Sequence, residues 1–314
     1  MGSVPITVLI PAFKPGFLSQ LMESLCEQTD RDFSVVVGDD AGPEEIWEIC
    51  GAFSSRLNLR YFRFEDNLGG RDLAAQWNRC LELVADEWVL MPGDDDALHP
   101  ECIQQLRSAV IKSGGKHAAY RATLRGIDES DRELYVSEPS GYEESAQRLL
   151  TLGCLEHHGT VIEFLFSRKK LQSLGGFVSF PIGWYSDTAT WILLANMGGV
   201  RGVPDAIVNH RMSGGNLSSH HSSLIDKKLE ATLQFLNWIE HRRAGIGVSK
   251  VEWANLKSGI LWGARASVTK THLIAFCCGI SSYAYMIAGF ENKSFAREVV
   301  RLLSLYFRKR FAPV

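Results

Sequence analysis

The first hundred or so residues alternate short apolar runs with segments of helical apolar spacing. Apolar runs begin at Ile6, Phe33, Leu59 and Trp88, and each has the length of a strand. Between them, apolar residues recur every three or four positions, as over residues 17–26, which is typical of an amphipathic helix. Repeated strand–helix units predict an α/β fold with a mostly parallel, doubly wound sheet. In such a sheet, ligands bind beyond the carboxyl ends of the strands.

The alternation gives way to other patterns later in the chain. The middle, from about residue 115 to residue 215, mixes strand patterns with helical ones: strands at 118–124 and 161–166, helices at 168–174 and 187–197. Beyond about residue 220 the pattern is almost entirely helical, over 222–243, 249–270 and 295–311. We therefore predict one α/β domain over residues 1–215 and a helical C-terminal region over 216–314.

Composition, charge and the lack of certain sequence motifs argue against several classes of function. The 314 residues are 46% hydrophobic and 22% charged, which is typical of a globular protein, and the formal charge of −3 gives no general attraction to nucleic acid. We expect no nucleic-acid partner. The chain has no P-loop, no nucleophile elbow and no zinc-like Cys/His spacing, so kinase, acyl-hydrolase and zinc-enzyme functions lack support.

Acidic residues follow two of the predicted strands. Asp39-Asp40 ends the second strand, and Asp94-Asp95-Asp96 follows the apolar run at 88–91. Adjacent carboxylates repel one another and raise each other's pKa, and a divalent cation removes that repulsion. Oxygen ligands suit Mg or Mn, which would keep positions open for phosphate oxygens and neutralise a diphosphate leaving group. The alternative is a solvated acidic turn that caps the helix beginning near Pro100.

Three segments together resemble the family 2 glycosyltransferases, which have the GT-A fold, a Rossmann-like arrangement. They are ITVLIPAFK with FSVVVGDD (6–14 and 33–40), the stretch 67–100 that ends in the acidic cluster, and LGGF followed by Tyr185-Ser186-Asp187 (174–187). The resemblance covers about residues 4–215, and it implies a nucleotide-sugar half over about 1–100 and an acceptor half over about 101–215.

The resemblance also implies a reaction and a donor site. The reaction is inverting transfer of a sugar from a nucleotide-diphosphate sugar to a hydroxyl of a glycan or lipid-linked glycan, with Mg or Mn as cofactor. The metal position matches Asp95, with Asp96 close enough to share that role. The positions that match the nucleotide and donor site are Pro11, Ala12, Phe13, Asp40, Asn67, Arg71, Asn78 and Asp94.

Asp187 matches the general base of the family, which deprotonates the acceptor hydroxyl. A carboxylate suits that role, and a place at the start of a helix favours its ionised form. The alternative is simple capping of the helix that Asp187 opens, and both roles can hold at once. Four residues are weaker acceptor-side candidates. Trp184 and Tyr185 could stack on a sugar, His158 could complete the metal shell, and Arg211 could hold a phosphate. Core aromatics and structural side chains are the alternatives for these four.

The chain departs from the family pattern at several of these positions. Lys14 stands where asparagine is common, and Ala41-Gly42 replaces the usual Gly-Ser. Gly93 replaces the frequent first aspartate of the DxD motif, so the metal ligands would come from Asp94 to Asp96. Ser186-Asp187 replaces the common Glu-Asp pair, which bears on the assignment of the base.

Two other functions remain open from the residues alone. One is a sugar nucleotidyltransferase of similar fold, although no Gly-rich basic loop follows the first strand. The other is a catalytically silent nucleotide-sugar binding or scaffold protein.

Sequence also bears on location. Seven scattered cysteines without a CxxC and an N-terminus without a basic leader predict a cytoplasmic protein. The weakly apolar segment 273–290 favours a buried or interfacial helix over a membrane span. The basic, partly apolar segment 295–311 predicts either a solvated helix or a peripheral contact with the inner face of the membrane.

Overall fold

The computed structural model describes residues 4–156, 159–213 and 224–266. The chain divides into two compact units, Met1–Gly263 and Ala264–Val314, and the description that follows concerns the first.

The N-terminal half follows the predicted alternation closely. Its elements are β1 (Ile6–Ala12), α1 (Leu18–Cys26), β2 (Ser34–Asp39), α2 (Glu45–Phe53), β3 (Leu59–Arg63), α3 (Leu73–Leu81) and β4 (Trp88–Leu90). The Asp72 side chain caps α3, since it accepts a hydrogen bond from the backbone N–H of Ala75 at 2.9 Å. Strands β1 and β2 are buried along almost their whole length, as parallel strands covered on both faces must be.

The second half has shorter and more varied elements. They are β5 (Ala97–Leu98), α4 (Cys102–Ser113), β6 (Ala119–Ile127), β7 (Glu133–Ser137), β8 (Glu143–Glu144), α5 (Ala146–Thr151), β9 (Phe164–Ser167), α6 (Arg168–Ser173), α7 (Ser186–Gly198), β10 (Val200–Arg211), α8 (Ile225–Ile246) and α9 (Lys250–Ala266). A π-helical turn at Leu152–Glu156 and 3₁₀ turns at Val161–Glu163 and Pro181–Gly183 connect them.

One sheet runs through the molecule in the order β3-β2-β1-β4-β9-β6-β10-β5, with β7 paired to β6 and β8 to β10. Strands β3, β2, β1 and β4 are parallel, and so is the long pair of β6 and β10. Strand β9 runs antiparallel to both of its neighbours, β4 and β6. These two reversals cancel, so β6 and β10 point the same way as β1 and β4. The predicted α/β fold with a mostly parallel sheet is confirmed, and α8 and α9 confirm a helical C-terminal region.

The middle region differs from the sequence prediction in two places. The segment predicted as a strand over 161–166 begins as a 3₁₀ turn and becomes extended only at Phe164. Strand β10 was not predicted, because Gly202 and Pro204 interrupt its apolar pattern. A register shift between Val203 and Ile207 accommodates the proline, and the strand then continues to Arg211.

Among the described residues, no helix is both long and apolar enough to cross a membrane. The segments 273–290 and 295–311, which carry the predicted interfacial and basic helices, lie outside the described residues.

Candidate active site

The loops after β1 and β4 meet at the carboxyl edge of the sheet. Strands β1 and β4 are paired in parallel, so their carboxyl ends lie side by side. Asp94 joins the two loops, because its Oδ2 accepts hydrogen bonds from the backbone N–H groups of Phe13 at 2.7 Å and Lys14 at 2.6 Å. Phe13, beside this contact, is 45% exposed. Burial raises the pKa of Asp94 to about 6, although the Lys14 ammonium and these N–H groups oppose the rise.

Asp95 and Asp96 point to different partners. One oxygen of Asp95, Oδ2, lies 2.8 Å from Lys14 Nζ and 3.0 Å from Ser213 Oγ. Asp96 accepts hydrogen bonds from the backbone N–H groups of Gly93 at 2.7 Å and Arg211 at 3.2 Å. Its Oδ1 also lies 3.0 Å from His210 Nδ1. Asp96 therefore ties the acidic cluster to the end of β10, and Asp95 contacts both the loop after β1 and Ser213, just after β10.

The residues present fit a divalent cation held chiefly by Asp95. A Cβ at position 93 would come within 3.2 Å of Asp95 Oδ1 and 3.1 Å of Asp96 Oδ2, so glycine is what leaves room beside both carboxylates. No cluster of three or more histidine, cysteine or acidic side chains suited to a metal occurs within residues 4–156, 159–213 and 224–266. A cation here would depend on one or two carboxylates together with phosphate oxygens and water, which is the usual arrangement for Mg²⁺ at phosphate sites.

Asp39 and Asp40 are buried and fully engaged by the protein. Asp40 accepts hydrogen bonds from the backbone N–H groups of Leu68 and Gly69, both at 2.8 Å, and pairs with Arg79. Asp39 accepts from the N–H of Gly42 at 2.7 Å and pairs with Arg63 at 2.7 Å. Asp40 thus fixes the loop over residues 66–70, and its predicted contact with the nucleotide base stays a prediction.

The turn after these aspartates carries the substitution noted in the sequence. Ala41 adopts a φ of 57°, a left-handed conformation that few non-glycine residues take. A side chain at Gly42 would meet the carbonyl oxygen of Phe13 at 2.7 Å, so the turn packs directly against the loop after β1. The altered turn therefore still brings the two loops together.

Asn67, Arg71 and Asn78, three further donor-site candidates from the sequence, each contact other parts of the protein. Asn67 closes its own turn by accepting from the N–H of Gly70 at 2.7 Å, and Arg71 pairs with Asp66 in the same exposed loop. The Asn78 side chain holds the LGGF segment, since it accepts from the N–H of Phe177 at 2.8 Å and donates to its carbonyl at 3.3 Å. Asn78 therefore clamps the LGGF segment to α3, and its predicted contact with the nucleotide stays a prediction.

Asp187 lies in the first turn of α7, half-buried. Burial raises its pKa to about 6, opposed by the hydrogen bond that Oδ1 accepts from the N–H of Thr188 at 2.7 Å, while the charge of Glu163 adds to the rise. The start of the helix stabilises the ionised form of Asp187, but burial destabilises that form by more, so the pKa rises. Tyr185 at φ 67° and Ile182 at φ 55° hold the preceding segment in the left-handed region, and backbone strain of this kind is often found at functional sites.

The weaker acceptor-side candidates Trp184, Tyr185 and Arg211 all contact other side chains or backbone groups of the protein. The Tyr185 ring stacks on Phe235 of α8 at a centroid distance of 4.5 Å, so one of its faces is covered, and Lys228 Nζ lies 4.7 Å from the centre of the Trp184 ring. Arg211 is 1% exposed and donates to the carbonyl oxygens of Asp95 and Asp128 and to Gln20, all at 2.9–3.0 Å. This burial favours a structural role for Arg211 over the predicted phosphate contact. His158 lies outside the described residues.

Two charged residues of the site were not singled out for function from the sequence. Lys14 was noted only as a departure, yet it forms an ion pair with Asp95. Glu163 is fully buried, pairs with the buried Arg121 at 2.8 Å, and acts electrostatically on both Asp187 and His210. The position of Lys14, in the loop after the first parallel strand, could have marked it as a site residue from the sequence. A lone glutamate in an apolar segment, such as Glu163, gives no such indication.

A mostly parallel sheet with buried carboxylates at its carboxyl edge and a further carboxylate at the start of α7 is the architecture of a GT-A glycosyltransferase. The family model described as Glycosyl transferase family 2 matches residues 7–175, which is more than half of the chain. The chain belongs to glycosyl transferase family 2.

Several curated proteins are similar to parts of the chain. Glycosyltransferase GlyG of Streptococcus pneumoniae is 24% identical over 131 residues, which cover 41% of this chain and 42% of GlyG. The poly(ribitol-phosphate) beta-N-acetylglucosaminyltransferase TarS of Staphylococcus aureus is 28% identical over 101 residues, 31% of this chain and 17% of TarS. Chondroitin synthase of Escherichia coli is 33% identical over 101 residues, 32% of this chain and 14% of the synthase. The matches therefore span less than half the length of each relative.

Solved structures share the fold. S. aureus TarS 1–349 in complex with UDP-GlcNAc superposes with a TM-score of 0.64 at 16% identity, covering 90% of this chain and 79% of that one. The mannosyltransferase PcManGT from Pyrobaculum calidifontis, in complex with GDP-Man and Mn²⁺, gives a TM-score of 0.51 at 16% identity over 98% of this chain and 88% of that one. At these identities the likeness concerns the fold alone.

Proposed function

We propose that this glycosyltransferase moves a sugar, with inversion, from a nucleotide-diphosphate sugar to a hydroxyl of a glycan or lipid-linked glycan. The observation that carries the proposal is Asp187, a half-buried carboxylate in the first turn of α7 with a pKa raised to about 6. A base of this pKa is ionised at neutral pH and still able to hold a proton, which is what deprotonation of a sugar hydroxyl requires.

The donor would lie along the carboxyl edge of the sheet, between the loop after β1 and the acidic cluster. Asp94 links these two segments through the N–H groups of Phe13 and Lys14, and the exposed ring of Phe13 offers a face to a nucleoside. Two of the structures that share the fold bind UDP-GlcNAc and GDP-Man, which supports a nucleotide-diphosphate sugar as the donor class. Pro11, Ala12, Asp40, Asn67, Arg71 and Asn78 remain proposed members of this donor site.

A divalent cation, Mg²⁺ or Mn²⁺, would be held by Asp95 with Asp96 nearby. When bound, it neutralises the charge that develops on the departing diphosphate. PcManGT was solved with Mn²⁺, which supports a cation of this kind. Asp96 is held by the N–H groups of Gly93 and Arg211, so its main task is to fix the loop that carries Asp95.

The proposed chemical step is a displacement at the anomeric carbon. The acceptor hydroxyl gives its proton to the Asp187 carboxylate while its oxygen forms a bond to the anomeric carbon. The bond between that carbon and the diphosphate oxygen breaks, and its electron pair leaves with the nucleoside diphosphate. Attack from the face opposite the leaving group inverts the anomeric centre.

The test is a panel of donors, including UDP-GlcNAc and GDP-Man, assayed for release of nucleoside diphosphate with and without Mn²⁺. Asp187→Asn should keep donor binding but lower transfer by ~10²-fold or more, the scale of general base catalysis. Asp95→Ala should abolish metal-dependent donor binding. Asp205→Asn, which changes an exposed carboxylate in β10, is the matched control and should leave both unchanged.

Other outcomes would overturn the proposal. Release of pyrophosphate in place of nucleoside diphosphate would indicate a nucleotidyltransferase. Metal-dependent binding of nucleotide sugars without any product would indicate a catalytically silent binding protein. Near-normal transfer by Asp187→Asn would move the base to another residue.

We also propose that the α/β domain ends at about residue 215 and that α8, which belongs to the same compact unit, packs against it. We propose further that the protein lies in the cytoplasm, with peripheral contact at the inner face of the membrane through the basic segment 295–311. A lipid-linked acceptor would make such contact useful. Co-sedimentation of the full chain with anionic vesicles, compared with neutral ones, tests the contact.

A further inference from the structure

The Lys14 ammonium lies where the loop after β1 meets the acidic cluster. Its Nζ is 2.8 Å from Asp95 Oδ2 and 3.6 Å from Asp94 Oδ1, and its own backbone N–H donates to Asp94. The lysine side chain is 37% exposed, whereas the Asp95 side chain is 11% exposed. The positive charge therefore lies over the acidic cluster, on its solvent side.

In an ordinary ion pair, the lysine would serve only to neutralise the negative charge of the carboxylates. Here the backbone N–H of the same residue also fixes the loop through Asp94, so the position of the loop does not depend on the ammonium alone. Its ammonium is carried on a flexible four-carbon stem and can turn from one anion to another without moving the backbone. A diphosphate bound at this edge of the sheet would lie within reach of that stem.

We propose that Lys14 is a donor-binding residue whose ammonium contacts the diphosphate of the nucleotide sugar and supplies part of the positive charge that stabilises the leaving group. This inference rests on the function proposed above. Without donor the ammonium pairs with Asp95, and with donor bound it turns to the phosphate oxygens and frees Asp95 for the divalent cation.

A donor-binding lysine has a consequence that a structural lysine would not have. Lys14 and a divalent cation compete for the Asp95 carboxylate in the free protein, because both positive charges would neutralise the same carboxylate. Removal of the ammonium should therefore change the affinities for two ligands in opposite directions. Nucleoside diphosphate should bind more weakly without metal, and Mn²⁺ should bind more tightly without nucleotide.

The experiment uses the full chain and the variants Lys14→Met, Lys14→Arg and Lys112→Met, the last a matched control on an exposed lysine at the end of α4. UDP and GDP are titrated calorimetrically in EDTA, and Mn²⁺ is titrated without nucleotide by electron paramagnetic resonance. Lys14→Met should weaken diphosphate binding in EDTA by ~10-fold or more, the range of a charge-assisted hydrogen bond, and should tighten Mn²⁺ binding several-fold. Lys14→Arg should keep most of the diphosphate affinity, and Lys112→Met should match the wild type.

Three results would overturn this inference alone: diphosphate affinity in EDTA that is unchanged in Lys14→Met, Mn²⁺ affinity that falls together with it, or loss of all diphosphate binding when EDTA is added to the wild type. The last needs no variant, so it decides even if Lys14→Met does not fold. Failure of the wild type to bind UDP, GDP or any nucleotide sugar under all conditions would instead overturn the proposed function.

Discussion

Individual carboxylates of the site have proton affinities that are set by burial and by neighbouring charge. Asp94 and Asp187 both have a pKa of about 6, but their surroundings differ. Asp94 is compensated by the Lys14 ammonium and two backbone N–H groups, whereas Asp187 has a backbone N–H and the repulsive charge of Glu163. Within the described part of the chain, Asp187 thus has no countercharge among its main influences, which suits a proton acceptor better than a residue that binds the donor.

The pKa of Asp187 predicts the pH dependence of transfer. The base must be ionised to accept a proton, so the rate should rise with pH and level off above about pH 6, and it should fall as pH drops through that value. Because Asp94 ionises over the same range, the measurement is a single-turnover rate at saturating donor between about pH 5 and 8. A rate that does not change over this range would contradict the assignment of Asp187 as the base.

The buried Glu163 both holds the loop before β9 and affects the pKa of Asp187. It accepts from the N–H groups of Gly159 and Thr160 at 2.6 and 2.7 Å and pairs with Arg121, which is itself fully buried. Buried charges are tolerated only when they are paired and hydrogen-bonded, and this network meets that condition. The loop before β9 is thus held by a charge that also acts on Asp187.

Among the helices and strands, α3 is joined to the LGGF segment and to the residues just after it by two side-chain contacts. Asn78 makes two hydrogen bonds to the backbone of Phe177, and Ser179 donates to the Asp72 carboxylate at 3.1 Å. The segment therefore leaves α6 at a fixed angle and leads into the turn that precedes Asp187. This clamp explains an asparagine at position 78 without any contact with a nucleotide.

The two glycines of that segment provide a matched pair for a test. Gly175 and Gly176 both have a φ near 90°, but only a Cβ at Gly176 would clash, at 2.3 Å from Asn78 Oδ1. Gly176→Ala should therefore lower the free energy of unfolding by ~1–3 kcal/mol more than Gly175→Ala, since both carry the same conformational strain and one adds overpacking. Denaturant unfolding of the two variants measures the difference, and equal losses would show that the clamp does not constrain this position.

Helix α8 is a second element that supports the site. Its Phe235 stacks on Tyr185 and meets Phe180 edge-on at a centroid distance of 5.9 Å. The segment that carries Trp184 and Tyr185 into α7 is therefore packed against a helix that lies beyond residue 215. An aromatic pair of this kind contributes about 0.5–1.5 kcal/mol beyond the area it buries.

For the molecule as a whole, this packing bears on where the catalytic unit ends. A chain truncated after residue 215 would lack α8 and leave Phe180 and Tyr185 exposed. We expect it to unfold at a lower temperature than a chain truncated after residue 266, which retains α8 and α9. Thermal unfolding followed by circular dichroism makes the comparison. Equal midpoints would support a self-sufficient domain over residues 1–215.

The direction of the chain through the sheet brings distant residues to one edge. Because β9 is antiparallel to both β4 and β6, the carboxyl end of β10 lies at the same edge as that of β4. His210 and Arg211 thereby reach Asp96 across more than a hundred residues of sequence. The acidic cluster is held from two sides, by the loop after β1 and by the end of β10.

The N-terminal half of the fold and the location of the acidic cluster could be predicted from the amino-acid sequence. Short apolar runs, helical spacing and the Asp72 cap are local signals, and β1 to β4 follow them within a few residues. Carboxylates that follow parallel strands must lie at the ligand-binding edge, so Asp40 and Asp94 to Asp96 could be placed without a structure. What each carboxylate contacts could not be predicted, because the partners come from separate loops and strands. The ion pair of Lys14 with Asp95, the attachment of Asp96 to β10 and the burial that raises the pKa of Asp187 all depend on such long-range packing.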